Sequence, residues 1–153
     1  EIQSLDVWDV VARKAKDAYS HAEKPVLVED TGLYLSAWNG LPGALIAWFL
    51  KTMGTDGVCT MMSAYEDRRA IARTILGFYD GSRFHGFLGE IVGCIVSQPR
   101  GDYGFGWDSI FQPNGANKTF GEMNINEKNL VSMRRIAVNN FKKQINLYYN
   151  CSG

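Results

Sequence analysis

Between residues 6 and 22 apolar side chains recur at helical spacing, and a turn of about 100° per residue puts Val7, Val11, Ala15, Ala18 and Ala22 on one face. Asp6 stands ahead of this run as a suitable cap. Pro25 stops the helix, and PVLVED reads as a short buried strand whose apolar run ends at Glu29 and Asp30. TGLYLSAWNGLPG, dense in glycine and aromatics, reads as turn, short strand and turn. A helix is expected over 43–53 and a second, short one over 57–64. Residues 69–79 and 86–96 read as antiparallel strands, joined at Asp80 and Gly81 by a two-residue hairpin signal. GDYGFGWDSIFQPNG is too irregular for a long element and too apolar for a plain solvent loop. The last helix is predicted over 127–148, opened by Asn124 with Glu127 three residues on, the capping-box spacing. This order of elements predicts helices packed around one sheet.

Two charges interrupt the apolar pattern. On the last helix Leu130, Ala137, Phe141, Ile145 and Tyr148 share a face, and Arg134 falls between Phe141 and Ile145. Lys14 sits in the same way between the angular positions of Val7 and Val10. Each either lies along the core with its head in water or waits for an anionic ligand, and the helices alone do not separate these roles.

Composition narrows the classes. At 153 residues and 46% hydrophobic content, the chain suits one domain spanning 1–153. Sixteen basic residues balance sixteen acidic ones, so no overall field draws in nucleic acid, and an anionic partner must be met by local Lys and Arg. Cys59, Cys94 and Cys151 are odd in number and lack metal-ligand spacing, which fits a reducing, cytoplasmic setting. No apolar run is long enough to span a bilayer, and no membrane partner is expected.

Several groups could carry chemistry. Glu29 and Asp30 could offer hard oxygen ligands to a divalent cation and a base for water, although neighbours on a strand point to opposite faces. They could equally be solvated turn acids. Phe105, Trp107 and Asp108 form either a stacking surface with one acceptor, suited to a flat heterocycle, or a packed core loop. Lys14, Lys128 and Arg134 could meet phosphate, while Lys128 lies off the apolar stripe, where solvated charges are common. His21 and His85 have no partner pattern, and no serine or cysteine has the surroundings of a nucleophile. Acid, cation and platform together suggest metal-assisted chemistry on a nucleotide.

Read jointly and in order, EIQS, VLVEDTGLYL, NGLPG, WFLKTMG, FGWDSIFQP, KTFGEM and EKNLVSMR resemble the inosine triphosphate pyrophosphatase family. The resemblance implies an elongated α/β domain with a long mixed β-sheet flanked by helices, usually a homodimer. It implies a Mg²⁺-dependent hydrolase that cleaves ITP, dITP or XTP between the α and β phosphates, giving monophosphate and pyrophosphate. By motif position it makes Asp30 the general base or metal carboxylate, with Glu29 beside it and Glu1 as a further metal acid. It places Lys14 on phosphate, and Phe105, Trp107, Asp108, Lys128 and Arg134 on the nucleotide. The chain starts after the strand and TGNxxK-type loop with which the family normally begins, so an N-terminally truncated fold with an exposed sheet edge is expected. Met133 stands where the family has histidine, Ala47 where a lysine is frequent, and Ser109 where proline is usual. These departures leave a second reading, a nucleotide-binding or oligomeric domain of the same fold without turnover.

Overall fold

The first helix, α1 (Val7–Ala22), starts where the Trp8 N–H donates to the Asp6 carboxylate at 2.9 Å, and Val7, Val10, Val11 and Ala15 are its buried residues. A computed structural model describes residues 2–150, and of 147–150 the backbone alone. Strand β1 (Val26–Leu35) follows, then the two-residue β2 (Pro42–Gly43), helix α2 (Ile46–Met62), strands β3 (Arg69–Tyr79) and β4 (Phe84–Ile95), the short β5 (Phe111–Pro113), and helices α3 (Ile125–Val131) and α4 (Met133–Asn150).

The sheet order is β2-β1-β3-β4-β5, and among the described residues every pairing is antiparallel, not mixed. The register gives the reason. Leu35 pairs with Ala70, so α2 delivers the chain to the same end of β1 at which it left, and β3 must run back along it.

β1 also differs from expectation, because it runs through the two acids to Leu35 instead of ending at Asp30. TGLYL keeps the strand alternation: Gly32 and Tyr34 turn to one face, while Leu33 and Leu35 are fully buried on the other. On the first face α1 packs Val7 and Val11 against Ile75 and Val28. On the opposite face Leu33, Leu35 and Ala72 meet Ile46, Val58 and Met62 of α2, and Leu76 and Phe87 meet Ala137 of α4. Gly89 of β4 lets α4 approach closely, since a Cβ there would lie 1.8 Å from the Met133 carbonyl oxygen.

The two helices expected over 43–64 join into α2, with Gly54 leaving helical geometry (φ 69°, ψ −178°) between them. The hairpin loop has four residues, not two: Tyr79 pairs with Phe84, and the Ser82 and Arg83 N–H groups each donate to the Asp80 carboxylate at 2.8 Å. The last helix is divided. Ser132 is extended (ψ 143°), closing α3, and its hydroxyl accepts from Arg135 N–H at 3.2 Å to open α4. That break rotates the face, so Leu130 is 76% exposed while Ala137 is buried. Tyr148 lies outside the described side chains. The Asn124 and Glu127 capping box forms as expected. Among the described residues no helix is long and apolar enough to cross a membrane.

Candidate functional site

β2 pairs with Leu33 and Tyr34, which among the described residues leaves Glu29, Asp30 and Thr31 on the sheet's edge. Their faces follow from the ladder. Asp30 is opposite Ile75, whose side chain packs on α1, and Glu29 is opposite Leu76, whose side chain packs on α4. The two acids therefore point apart, as their adjacency requires.

Each is met by a cation from the helix on its own side. Lys14 Nζ of α1 donates to the Glu29 carbonyl at 3.2 Å and stands 3.9 Å from Asp30 Oδ1. Arg134 grips Glu29 with two bonds, Nε to Oε2 at 3.0 Å and Nη2 to Oε1 at 2.6 Å. Neither anomalous helix charge simply snorkels. Both of Glu29's oxygens are engaged by the guanidinium, on the face of the strand opposite the Asp30 side chain.

The glycine-flanked loop supplies the other wall. Gly104 and Gly106 adopt φ of 76° and 64°, and a Cβ on Gly104 would lie 2.0 Å from Asp108 Oδ2. That space lets the loop close over Asp108, which is 5% exposed. Asp108 Oδ2 accepts from Phe105 N–H at 3.0 Å and from Lys128 Nζ at 2.5 Å. Both bonds fall on one oxygen, and among the described residues Oδ1 receives none. Lys128 Nζ also lies over the rings of Phe105 and Phe120, at 5.5 and 5.2 Å. Lys128 is thus drawn into the most buried ion pair among the described residues, against the solvated role that its sequence position allowed.

The two aromatics of the loop divide their work. Phe105 is 71% exposed, with Lys128 and Arg134 over its ring at 5.5 and 5.9 Å, whereas Trp107 is 7% exposed and packs edge-on against Phe111 at 5.5 Å. Trp107 is the core residue of the pair, though it still lines the pocket.

A cavity of about 280 Å³ gathers Glu29, Asp30, Phe105, Asp108, Lys128 and Arg134. Lys14 reaches it through Asp30. Glu1 lies outside the described residues. Met133 also lines the cavity, as do Thr31 and Leu50, which the sequence did not single out because an apolar or hydroxyl side chain carries no local signal of a ligand. Met133, where the family has histidine, is 4% exposed and part of the core.

The fold and the cavity together define an α/β protein that sets acids, cations and one exposed ring around a sheet edge. The profile of the Ham1 family matches residues 1–144, and the chain belongs to that family. It is 45% identical over 139 residues to the inosine triphosphate pyrophosphatase of Schizosaccharomyces pombe, covering 90% of this chain and 73% of that protein. It is 37% identical over 148 residues to the dITP/XTP pyrophosphatase of Hyperthermus butylicus, covering 97% and 78%. Its fold superposes on the Staphylococcus aureus Ham1 protein with a TM-score of 0.88 at 25% identity, over 95% of this chain and 79% of that one.

Proposed function

We propose that this chain hydrolyses the non-canonical purine nucleoside triphosphates ITP, dITP and XTP to monophosphate and pyrophosphate, as a single cytoplasmic domain, with Mg²⁺ and as a homodimer. The observation that carries the reading is the Asp108 and Lys128 pair beneath the exposed Phe105 ring, in one cavity with Asp30.

The pair matches the edge of a 6-keto purine. Such a base presents an N1–H donor beside an O6 acceptor, and Asp108 Oδ1 with Lys128 Nζ supplies the complementary acceptor and donor. Adenine reverses both groups, which would set its N1 lone pair against a carboxylate and leave a buried group unpaired. Phe105 supplies the stacking face.

At the other end Asp30, with a hard oxygen donor on an open sheet edge, suits Mg²⁺, which takes one or two protein carboxylates and completes its shell with water and substrate phosphate. Asp30 would hold the ion, with Glu1 the further acid by motif position. Bound Mg²⁺ supplies neutralisation of phosphate charge. Asp30 also orients the attacking water and takes its proton. The water oxygen bonds to the α phosphorus, the bond to the bridging oxygen breaks, and pyrophosphate leaves with that electron pair. Lys14, held at Asp30, draws charge from the departing phosphates.

The test is product analysis with ITP, XTP, ATP and GTP in Mg²⁺ buffer. The reading expects inosine monophosphate and pyrophosphate from ITP, with ATP turned over far more slowly. Release of orthophosphate with inosine diphosphate would place the cleavage elsewhere and contradict it.

A further inference from the structure

A second, larger cavity of about 590 Å³ lies between the loop bearing Tyr103 and Phe105 and helices α3 and α4. Its lining includes no aspartate or glutamate. Arg135, Asn139 and Lys142 follow one another along α4 at spacings of four and three, so they rise on one helix face. All three are exposed, and among the described residues neither Arg135 nor Lys142 forms an ion pair. Opposite them stand two exposed rings, Tyr103 at 61% and Phe105 at 71%. Two unneutralised cations facing exposed aromatic surface are a pairing that binds a base and its phosphate together.

Scale limits the occupant. Seven residues of helix separate Arg135 from Lys142 by about 10 Å, which suits one nucleoside phosphate better than a strand. The cavity volume falls in the range of small-ligand sites, about 300–1,000 Å³. The chain's formal net charge of zero gives no extended field for nucleic acid.

We propose that this groove is a second site for a nucleoside phosphate, with the base on Tyr103 and Phe105 and the phosphate on Arg135 and Lys142. It is distinct from the cavity that contains Asp30, yet the two share Phe105, Lys128 and Arg134 as a common wall. An occupant of the groove touches the same ring that is offered to the other cavity.

Calorimetric titration of the full chain with inosine monophosphate tests this, and it reads binding whether or not the chain releases pyrophosphate. Two sites per chain are expected in the wild type, and one in the double variant Arg135→Ala, Lys142→Ala, whose pyrophosphate release from ITP at low nucleotide stays unchanged. Tyr103→Ala is expected to weaken the groove site on the order of tenfold, the scale of one lost base stack. Inorganic phosphate is expected to bind the groove more weakly than the monophosphate by a similar factor. One site in the wild type, or two in the double variant, overturns the proposal. So does a raised KM for ITP in the double variant, which would make the groove part of the substrate site, and so does equal binding of inorganic phosphate, which would remove the nucleoside. A chain that shows the second site but no pyrophosphate release would contradict the hydrolase reading alone.

Discussion

Arg134 and Glu29, separated by 105 residues, close on each other through two nitrogen–oxygen contacts of 3.0 and 2.6 Å and tie the start of α4 to β1 beside the cavity. The side chains are 41% and 37% exposed, so water screens the pair and its share of stability is about 1 kcal/mol or less. Its effect lies in where it holds the guanidinium. Glu29→Gln is expected to raise KM for ITP severalfold while kcat and the urea midpoint change little. Steady-state kinetics check this, and a fall in kcat by orders of magnitude at unchanged KM would place Glu29 in the chemical step instead.

Phe105 and Trp107 separate binding from folding. Trp107→Ala empties a packed position between Phe111 and Phe120 and is expected to cost about 3–5 kcal/mol in urea unfolding. Phe105→Ala removes a ring that is 71% exposed, so stability should stay within about 0.5 kcal/mol while affinity for ITP falls. Comparable destabilisation by the two would show that Phe105 is a core residue as well.

Much of this was legible in the sequence where one local rule decided the outcome. Asp6 before a helical stripe gave α1, and Asn124 with Glu127 gave the start of α3. Arg134 and Lys14 stood out because a charge broke an apolar period, and each proves to meet a strand residue at the cavity. The misreadings came where long-range pairing overrode local signals. Two acids and a glycine suggested the end of a strand, but the ladder to β3 carries β1 on to Leu35. The break at Ser132 was missed because the apolar period runs on across it, although serine is a favoured cap and its hydroxyl accepts from Arg135 N–H at 3.2 Å. For Phe105 and Trp107 the motif named both as base contacts, and only packing shows which ring is exposed.

Gly89 gives a direct probe of that packing. With its Cβ position 1.8 Å from the Met133 carbonyl oxygen and 2.6 Å from the Ala137 nitrogen, Gly89→Ala forces α4 off the sheet. The expected loss is about 1–3 kcal/mol, typical of overpacking, together with weaker ITP binding as Arg134 moves. Thermal or urea unfolding beside KM measures both, and an unchanged KM would mean that α4 does not position the arginine.

Acid sensitivity follows from three surface carboxylates. The Arg69 guanidinium, its backbone N–H also donating, holds Asp67 down to about 2. The Arg83 and Ser82 N–H groups lower Asp80, and the Lys118 ammonium with the Asn124 N–H lowers Glu127. A depressed carboxylate contributes stability in full above its ordinary range and loses it as pH falls through the folded value. Urea midpoints should therefore hold down to the ordinary carboxylate range and decline below it, toward about 2 for Asp67. The same series on Asp67→Asn should show a shallower decline, and an identical one would remove Asp67 from the account.

The central claim, that Asp30 drives hydrolysis of a 6-keto purine triphosphate, is tested most directly by pyrophosphate release from ITP in Mg²⁺ buffer, comparing wild type with Asp30→Asn. The account predicts steady release by the wild type and a loss of at least about a hundredfold in kcat for the variant, the lower end expected when a general base is removed. Wild-type rates in Asp30→Asn, or no release from ITP by the wild type, would contradict it.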